Sequence, residues 1–204
     1  MIACVPPAQS ETVIKRSRFI AVSYNIDGRD QVKGIIEKLK SEHPEARHVC
    51  YAFIADEKGD DFGYDDDGEP SGTAGKPIYS ALAAAGVRKT LIAVVRYFGG
   101  IKLGAGGLTR AYRGSAAELI EKAGTVNAEK CAVYSVESDG AVYKTVSGVL
   151  RNMNCTVDGV MYDRTVSCTV TAPVDTDITT ALTALGAKVT KISESYKFSD
   201  GIRG

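Results

Sequence analysis

The sequence has few of the residues and segments that build disulfide frameworks, thiolate metal sites or membrane spans. Its five cysteines are odd in number and form no C-x-x-C pair, which argues against a disulfide framework and against a thiolate zinc site. No window approaches the roughly 18 consecutive apolar residues that a membrane span requires. The first residues lack the basic and apolar segments of a signal peptide. These absences predict a soluble, cytoplasmic protein with no membrane partner.

Catalytic motifs are also scarce. The chain contains no G-x-S-x-G, no G-K-[ST] and no G-x-G-x-x-G, which removes the signatures of α/β-hydrolases, P-loop enzymes and dinucleotide-binding folds. Only two histidines are present, and His43 lies at a predicted helix end, so His48 is the one plausible base. Ser71 or Thr73 could pair with His48 for nucleophilic catalysis. The alternative is that His48 orients a loop or stays partly buried in its strand.

The charge balance conceals an uneven distribution. The 204 residues include 25 basic and 25 acidic side chains, and hydrophobic residues make up 44%, which is typical of a globular protein. Residues 56–69 nevertheless have a net charge of −7, and residues 70–125 have a net charge of +6. Such a separation can steer a charged partner although the sum is zero. The alternative is that surface loops simply collect charge.

The spacing of apolar residues predicts an α+β protein with two domains. A first domain of residues 1–126 and a second of residues 127–204 meet where polar residues follow a predicted helix end at Gly124. The second domain has the order βαββαβ, which is typical of a ferredoxin-like fold. In the first domain we predict strands at 17–24, 48–54 and 90–97, helices at 30–42, 77–85 and 108–122, and loops at 56–75 and 99–107.

The acidic loop holds the candidate catalytic carboxylates Asp66, Asp67 and Glu69. An EF-hand is excluded, because aligning Gly68 with its invariant glycine leaves Gly63 and Ala74 at the two essential ends. A magnesium site on Asp66, Asp67 and Glu69, or acid–base chemistry by the same residues, remains open. The alternative is an acidic turn, in which Asp and Gly serve only the backbone conformation.

The second loop follows a predicted strand and opens a helix, which is where backbone N–H groups bind anions. Its glycines let a ligand approach the backbone, or they only allow a tight crossing of strand and helix. The aromatic residues Tyr97, Phe98 and Tyr112 beside the basic residues could stack on bases or belong to the core. The candidate anion-binding or nucleic-acid-binding residues of this loop and its neighbours are Arg18, Arg96, Tyr97, Lys102, Gly104, Gly106, Gly107, Arg110 and Tyr112.

Four stretches in one order resemble the IMPACT/YigZ family. They are Lys15–Ile20, Ala46–Cys50, the run DGEPSGTAGKP at 67–77 and the run VRYFGGIKLGAGGL at 95–108. The resemblance implies a first domain like the second domain of ribosomal protein S5. It also implies a second domain like domain V of elongation factor G. Eukaryotic relatives regulate translation and carry an N-terminal RWD domain, for which this sequence has no room before Val13.

Two functions of different classes follow from these residues and from the resemblance. The first is a non-enzymatic, translation-associated regulator that binds the ribosome, RNA or a translation-related protein through the basic segment, without a cofactor. The alternative is an enzyme on a small phosphorylated or carboxylated molecule, metal-assisted or not, in a cleft between the acidic and glycine-rich loops. A third, weaker interpretation is a protein adaptor that uses the sheet of residues 131–197.

Overall fold

The structure, a computed structural model, describes residues 2–199. Met1 and residues 200–204, which fall within the two predicted domain ranges, lie outside the described residues. Residues 2–127 form one compact unit, and residues 128–198 form a second. The fold is α+β, as the sequence predicts.

The first unit alternates strands and helices along most of its length. Strands and helices of this unit, in chain order, are β1 (Ile2–Cys4), β2 (Ala8–Ile14), β3 (Ser17–Asn25), α1 (Asp30–Glu42), β4 (His48–Ile54), β5 (Phe62–Asp65), α2 (Gly75–Ala84), β6 (Thr90–Tyr97) and α3 (Ala105–Ala123). The remaining elements are β7 (Val126–Ser138), α4 (Gly140–Asn152), β8 (Thr156–Tyr162), β9 (Val166–Pro173), α5 (Ile178–Thr183) and β10 (Lys188–Ser199).

The sheet of the first unit has the strand order β2-β3-β6-β4-β5, with every neighbouring pair antiparallel. Its central strand β6 is apolar on both faces and buried along seven of its eight residues, since helices cover both sides. Helix α1 packs on one face through Val32, Ile36 and Leu39. Helices α2 and α3 pack on the other, where Phe19 and Tyr112 meet edge to face with ring centroids 5.3 Å apart.

Two strands of this sheet depart from the sequence-based prediction. The loop predicted at 56–75 contains β5, which pairs with β4 at the edge of the sheet. Phe62 and Tyr64 on β5 both contact the ring of Tyr79 on α2, and this contact fixes a strand too short to show periodicity. Strand β2, which was not predicted, is the opposite edge and carries mostly polar residues.

The second unit places α4 and α5 against a sheet in which β10 pairs with β7, and β9 lies between β7 and β8. The predicted βαββαβ order is confirmed, and it gives the strand arrangement of a split βαβ fold. Burial alternates strictly along β9, because one face packs on the helices. Asp139 and Asp177 cap the starts of α4 and α5 by accepting backbone N–H bonds of 2.8 and 3.0 Å.

Candidate functional site: a basic cleft at the start of helix α3

The acidic and glycine-rich loops meet at one cleft of about 330 Å³ in the first unit. The cleft lies where β4 begins, where β6 ends and where α3 begins. We call it the basic cleft, and its lining residues are Arg47, His48, Glu69, Pro70, Arg96, Phe98, Lys102, Leu103, Gly104, Ala105 and Leu108. Of the predicted site residues it therefore brings together His48, Glu69, Arg96, Lys102 and Gly104.

A buried ion pair forms the floor of the basic cleft. Oε1 of Glu69 accepts hydrogen bonds from Nη1 of Arg96 at 2.5 Å and from the hydroxyl of Tyr112 at 2.8 Å. Oε2 of Glu69 has no hydrogen-bond partner within residues 2–199. Nε of Arg96 is buried and also unpartnered there, while Nη2 lies 3.5 Å from the hydroxyl of Ser17. The floor therefore retains a free acceptor, and beneath it lies a buried donor without a partner.

Tyr112 does not lie on a ligand-facing surface. Its side chain is fully buried, so it is not available for stacking on a base, and the alternative prediction that it belongs to the core describes its place. Burial, followed by the nearby Cys50 and Glu69, raises the pKa of the Tyr112 hydroxyl far above its ordinary value. The hydroxyl is therefore always a donor, which keeps the Glu69 carboxylate in one orientation.

Asp66 serves the backbone of the acidic loop. Its carboxylate accepts N–H bonds from Gly72 at 2.7 Å, from Gly75 at 2.8 Å and from Ala74 at 2.9 Å. Burial raises the pKa of this carboxyl, but the three hydrogen bonds together lower the pKa by a larger amount. The pKa of Asp66 therefore lies below its ordinary value. A Cβ at Gly75 would lie 2.7 Å from the backbone of Asp65, so this glycine permits the loop to fold back closely.

Asp67 faces the opposite side of β4 from the basic cleft. Its carboxylate accepts the backbone N–H of Val49 at 2.7 Å and pairs with Nζ of Lys40 on α1 at 2.5 Å. The carboxylates of Asp66, Asp67 and Glu69 thus bind three different sets of partners. No group of three His, Cys, Asp or Glu side chains among the described residues is arranged to hold a metal ion, so the predicted magnesium alternative finds no support here.

His48 has one nitrogen anchored and one facing Glu69. Nδ1 lies 2.7 Å from the carbonyl oxygen of Asp67, and a carbonyl only accepts, so Nδ1 carries the proton of the neutral ring. Nε2 is then an acceptor, 4.0 Å from Oε1 of Glu69. Ser71 and Thr73 do not line the cleft with it: Thr73 donates its hydroxyl to the carbonyl of Pro70 at 2.6 Å, and Ser71 is exposed. Among residues 2–199, neither histidine forms a hydrogen bond with a Ser or Thr side chain.

Helix α3 begins earlier than predicted, at Ala105 rather than at Leu108. Gly104 precedes it with a φ of +73°, a left-handed value that favours glycine. A Cβ at Gly107 would lie 3.0 Å from Cβ of Leu103, so that glycine allows a tight crossing. The N–H groups of Ala105, Gly106 and Gly107 belong to the helical turn that has no intrahelical acceptors. Both predicted roles of the glycines are therefore compatible with this geometry.

The basic side chains around the cleft differ in what they contact. Arg47, Lys102 and Arg110 have no carboxylate within 4.0 Å in the part of the chain that the structure describes. Arg18 instead pairs with Glu11 at 2.8 Å and lies over the ring of Tyr97 at 5.4 Å. Arg18, Tyr97 and Arg110 do not line the cleft.

Phe98, one of the rings predicted to stack on bases or to belong to the core, lines the cleft and is 38% exposed. Sequence reasoning missed two residues that shape the cleft, Arg47 and Gly99. The guanidinium of Arg47 lies 5.5 Å from the ring centroid of Phe98. A Cβ at Gly99 would lie 2.0 Å from the backbone of Arg16.

Comparisons with known proteins agree on the family. A protein-family model, the Impact N-terminal domain, matches residues 15–120. The chain is 39% identical over 148 residues to the IMPACT family member YigZ of Escherichia coli (strain K12), which covers 70% of this chain and 71% of that protein. It is 35% identical over 158 residues to the IMPACT family member YvyE of Bacillus subtilis (strain 168), covering 78% and 73%.

A crystal structure described as that of a hypothetical protein has a TM-score of 0.63 and 29% identity, covering 95% of this chain and 98% of that one. Within residues 2–199, no helix is long and apolar enough to pass through a membrane. The family model and the two curated relatives lead to one conclusion: the chain belongs to the IMPACT family.

Proposed function

We propose that this protein is a cytoplasmic, non-enzymatic regulator of translation that binds RNA through the basic cleft. The observation that carries the proposal is the unequal pairing of the two charged segments. Asp66, Asp67 and Glu69 of the acidic loop each bind groups within the first unit, whereas Arg47 and Lys102 at the cleft have no carboxylate partner there. Unpaired cations beside a helix N-terminus favour a phosphate ligand.

The kinship with the IMPACT family supports translation as the process. As described above, the resemblance implies that eukaryotic relatives regulate translation. RNA is the part of the translation machinery that matches the cleft, because it offers phosphates for Arg47 and Lys102 and bases for the exposed ring of Phe98. A translation-related protein with an acidic surface is the competing partner, because its carboxylates would also pair with Arg47 and Lys102.

The salt dependence of RNA binding tests the proposal. We expect the full chain to co-sediment with ribosomes and to bind a labelled single-stranded RNA, with affinity that falls steeply between 50 and 200 mM salt, as is typical of phosphate contacts. The double variant Arg47→Gln/Lys102→Gln should lower the slope of log K against log salt by about 1.4, since each single-strand phosphate contact contributes about 0.7.

A matched control comes from the second unit. Lys144 on α4 and Arg164 between β8 and β9 are exposed, so Lys144→Gln/Arg164→Gln removes the same charge at two residues that do not line the cleft. It should leave the salt slope within about 0.3 of the wild type if the cleft holds the RNA phosphates. Absence of RNA binding at low salt would overturn the proposal. Binding to ribosomal material that persists after the RNA has been digested with ribonuclease would also overturn it.

An enzymatic function is the second candidate, and one observation favours it. His48 is held by the carbonyl of Asp67 so that Nε2 is an acceptor inside the cleft, which is the arrangement of a general base. If this function is correct, a phosphorylated metabolite should be turned over by the wild type, and His48→Gln should abolish turnover but not binding. Turnover that persists in His48→Gln would exclude His48 as the base.

A further inference from the structure

The floor of the basic cleft holds an ion pair, whereas its mouth holds cations without a carboxylate partner. Arg47 and Lys102 at the mouth are exposed cations, whereas the floor presents Oε2 of Glu69, whose side chain is only 4% exposed. An ionised carboxylate can only accept hydrogen bonds. A phosphate would therefore be repelled from the floor and attracted to the mouth. The ligand that fits has an anionic end facing outward and an N–H donor end facing inward.

The floor also contains an unsatisfied donor. Arg96 is 5% exposed, and its Nε has no hydrogen-bond partner in the described structure. A buried N–H without an acceptor is costly and rare in native proteins. Because Nε itself is buried away from the cleft surface, the floor offers a ligand one free acceptor, Oε2 of Glu69. Such an acceptor suits a ligand edge that carries adjacent N–H donors.

The walls between floor and mouth suit a flat, apolar body. Pro70, Leu103 and Leu108 line the cleft together with the ring of Phe98. The guanidinium of Arg47 lies 5.5 Å from the centroid of that ring, and aromatic rings and guanidinium planes both stack on nucleobases. The volume of about 330 Å³ lies at the small end of the range for small-molecule pockets.

We infer that the basic cleft binds one guanine nucleotide of RNA, with the base inserted toward Glu69 and Arg96 and the phosphate held at the mouth by Lys102 and the first N–H groups of α3. This inference rests on the proposed function and names the group that the cleft recognises. Guanine presents two adjacent N–H donors on its Watson–Crick edge, which match the carboxylate of Glu69 in the cleft lining.

The other bases fit this floor less well. Uracil places its single N–H between two carbonyls, so at least one carbonyl faces the carboxylate. Adenine and cytosine each present one amino group beside a ring nitrogen acceptor, and that acceptor would face the Glu69 carboxylate. Each mismatch leaves a buried polar group unpaired, which is the usual source of discrimination in polar pockets.

Titration calorimetry of the full chain with mononucleotides tests the inference without altering the floor. We expect guanosine 5′-monophosphate to bind at least tenfold more tightly than the adenosine, cytidine and uridine monophosphates and than inorganic phosphate. Inosine 5′-monophosphate lacks the 2-amino group, so we expect it to bind severalfold more weakly than the guanosine nucleotide. This ligand series probes Glu69 directly, whereas Glu69→Gln would leave Arg96 buried without its counter-ion and could prevent folding.

Two protein variants separate base stacking from general effects on the loop. Phe98→Ala should weaken binding of the guanosine nucleotide at least fivefold, because base–aromatic stacking is lost. Ile101→Ala removes a side chain that is 40% exposed and outside the cleft, and it should leave the affinity unchanged.

The outcomes distinguish this inference from the proposed function. RNA binding with equal affinity for all four mononucleotides would overturn the guanine pocket and leave the proposed function standing. RNA binding together with no effect of Phe98→Ala on mononucleotide affinity would do the same. Failure of both RNA and mononucleotides to bind would overturn both.

Discussion

Nη1 of Arg96 lies 2.5 Å from Oε1 of Glu69, and both side chains are more than nine-tenths buried. These residues lie on β6 and in the acidic loop, 27 positions apart in the sequence. Removing one member of a buried ion pair leaves the other charge uncompensated. We therefore expect Arg96→Met to lower the free energy of unfolding by about 3–5 kcal/mol, as measured by urea titration of the full chain.

Two further variants show whether burial is the cause. Glu69→Gln/Arg96→Met removes both charges and should be more stable than Arg96→Met alone. Lys122→Met breaks the pair of Lys122 with Glu118, in which the lysine side chain is 61% exposed, and should change stability by less than about 1 kcal/mol. Equal losses for Lys122→Met and Arg96→Met would contradict this explanation.

Asp66 stabilises the acidic loop through a carboxylate that must be ionised. Asp66→Asn would turn an amide N–H₂ toward one of three backbone N–H groups, and we expect a loss of about 2 kcal/mol at neutral pH. Since the folded-state pKa of Asp66 lies below its ordinary value, this stabilisation is present above the ordinary aspartate pKa and is lost as the pH falls through the folded-state pKa.

The pH dependence provides the measurement. Stability curves of wild type and Asp66→Asn should begin to converge at about pH 4, the ordinary aspartate pKa of the unfolded chain, and should continue to converge as the pH falls through the lower folded-state pKa. Asp60→Asn is the control, because Asp60 is exposed in the same loop. A difference between wild type and Asp66→Asn that is constant down to pH 2 would show that the ionised form is not what matters.

Gly99 is required because backbone passes where its side chain would be. A Cβ at this position would lie 2.0 Å from the carbonyl carbon and oxygen of Arg16, so Gly99→Ala must displace the turn between β2 and β3. We expect a clear fall in the melting temperature of the first unit. Gly34→Ala on α1 meets nothing within 4 Å and should instead stabilise the protein by up to about 1 kcal/mol, because alanine favours helix. Similar changes in melting temperature for Gly99→Ala and Gly34→Ala would contradict the close contact between Gly99 and the backbone of Arg16.

Cys50 should be unreactive in the folded protein. Its side chain is fully buried, and burial raises the pKa of the thiol well above its ordinary value. We expect iodoacetamide at pH 8 to alkylate the half-buried Cys155 at least about tenfold faster than Cys50, measured by peptide mapping with mass spectrometry. In urea the two rates should become similar, and rapid labelling of Cys50 without urea would show that the core opens locally.

The sequence was sufficient to predict those helices and strands in which buried residues recur at the regular spacing of a helix or a strand. Helix α1 alternates charged residues with Val32, Ile36 and Leu39, and its predicted bounds match the structure. The eight-residue run of β6 is apolar on both faces, as is typical of a central strand. Gly124 ends α3 with a φ of +72°, a conformation that glycine adopts readily. In each case the prediction depends only on residues that lie close together in the sequence.

The edge strands and the cleft floor could not be predicted in this way. Strand β2 exposes much of its length and β5 has four residues, so neither shows an apolar period. The sequence placed Glu69 and Arg96 in a candidate site but could not pair them, because their contact depends on how the acidic loop folds over the start of β4. The three amides on Asp66 and the hydroxyl of Tyr112 depend on the same fold.

The contact of Gly99 with the turn at Arg16 has a mechanical consequence. The N–H of Gly99 also donates to the hydroxyl of Ser17 at 3.2 Å, so the turn is held to the segment that carries Phe98 by both packing and a hydrogen bond. Lys15 and Arg16 in that turn have positive φ angles of 46° and 66°, which leaves little freedom to absorb a displacement. A residue inserted in this turn would therefore shift the wall of the basic cleft from a distance, changing its ligand affinity without replacing any residue that lines it.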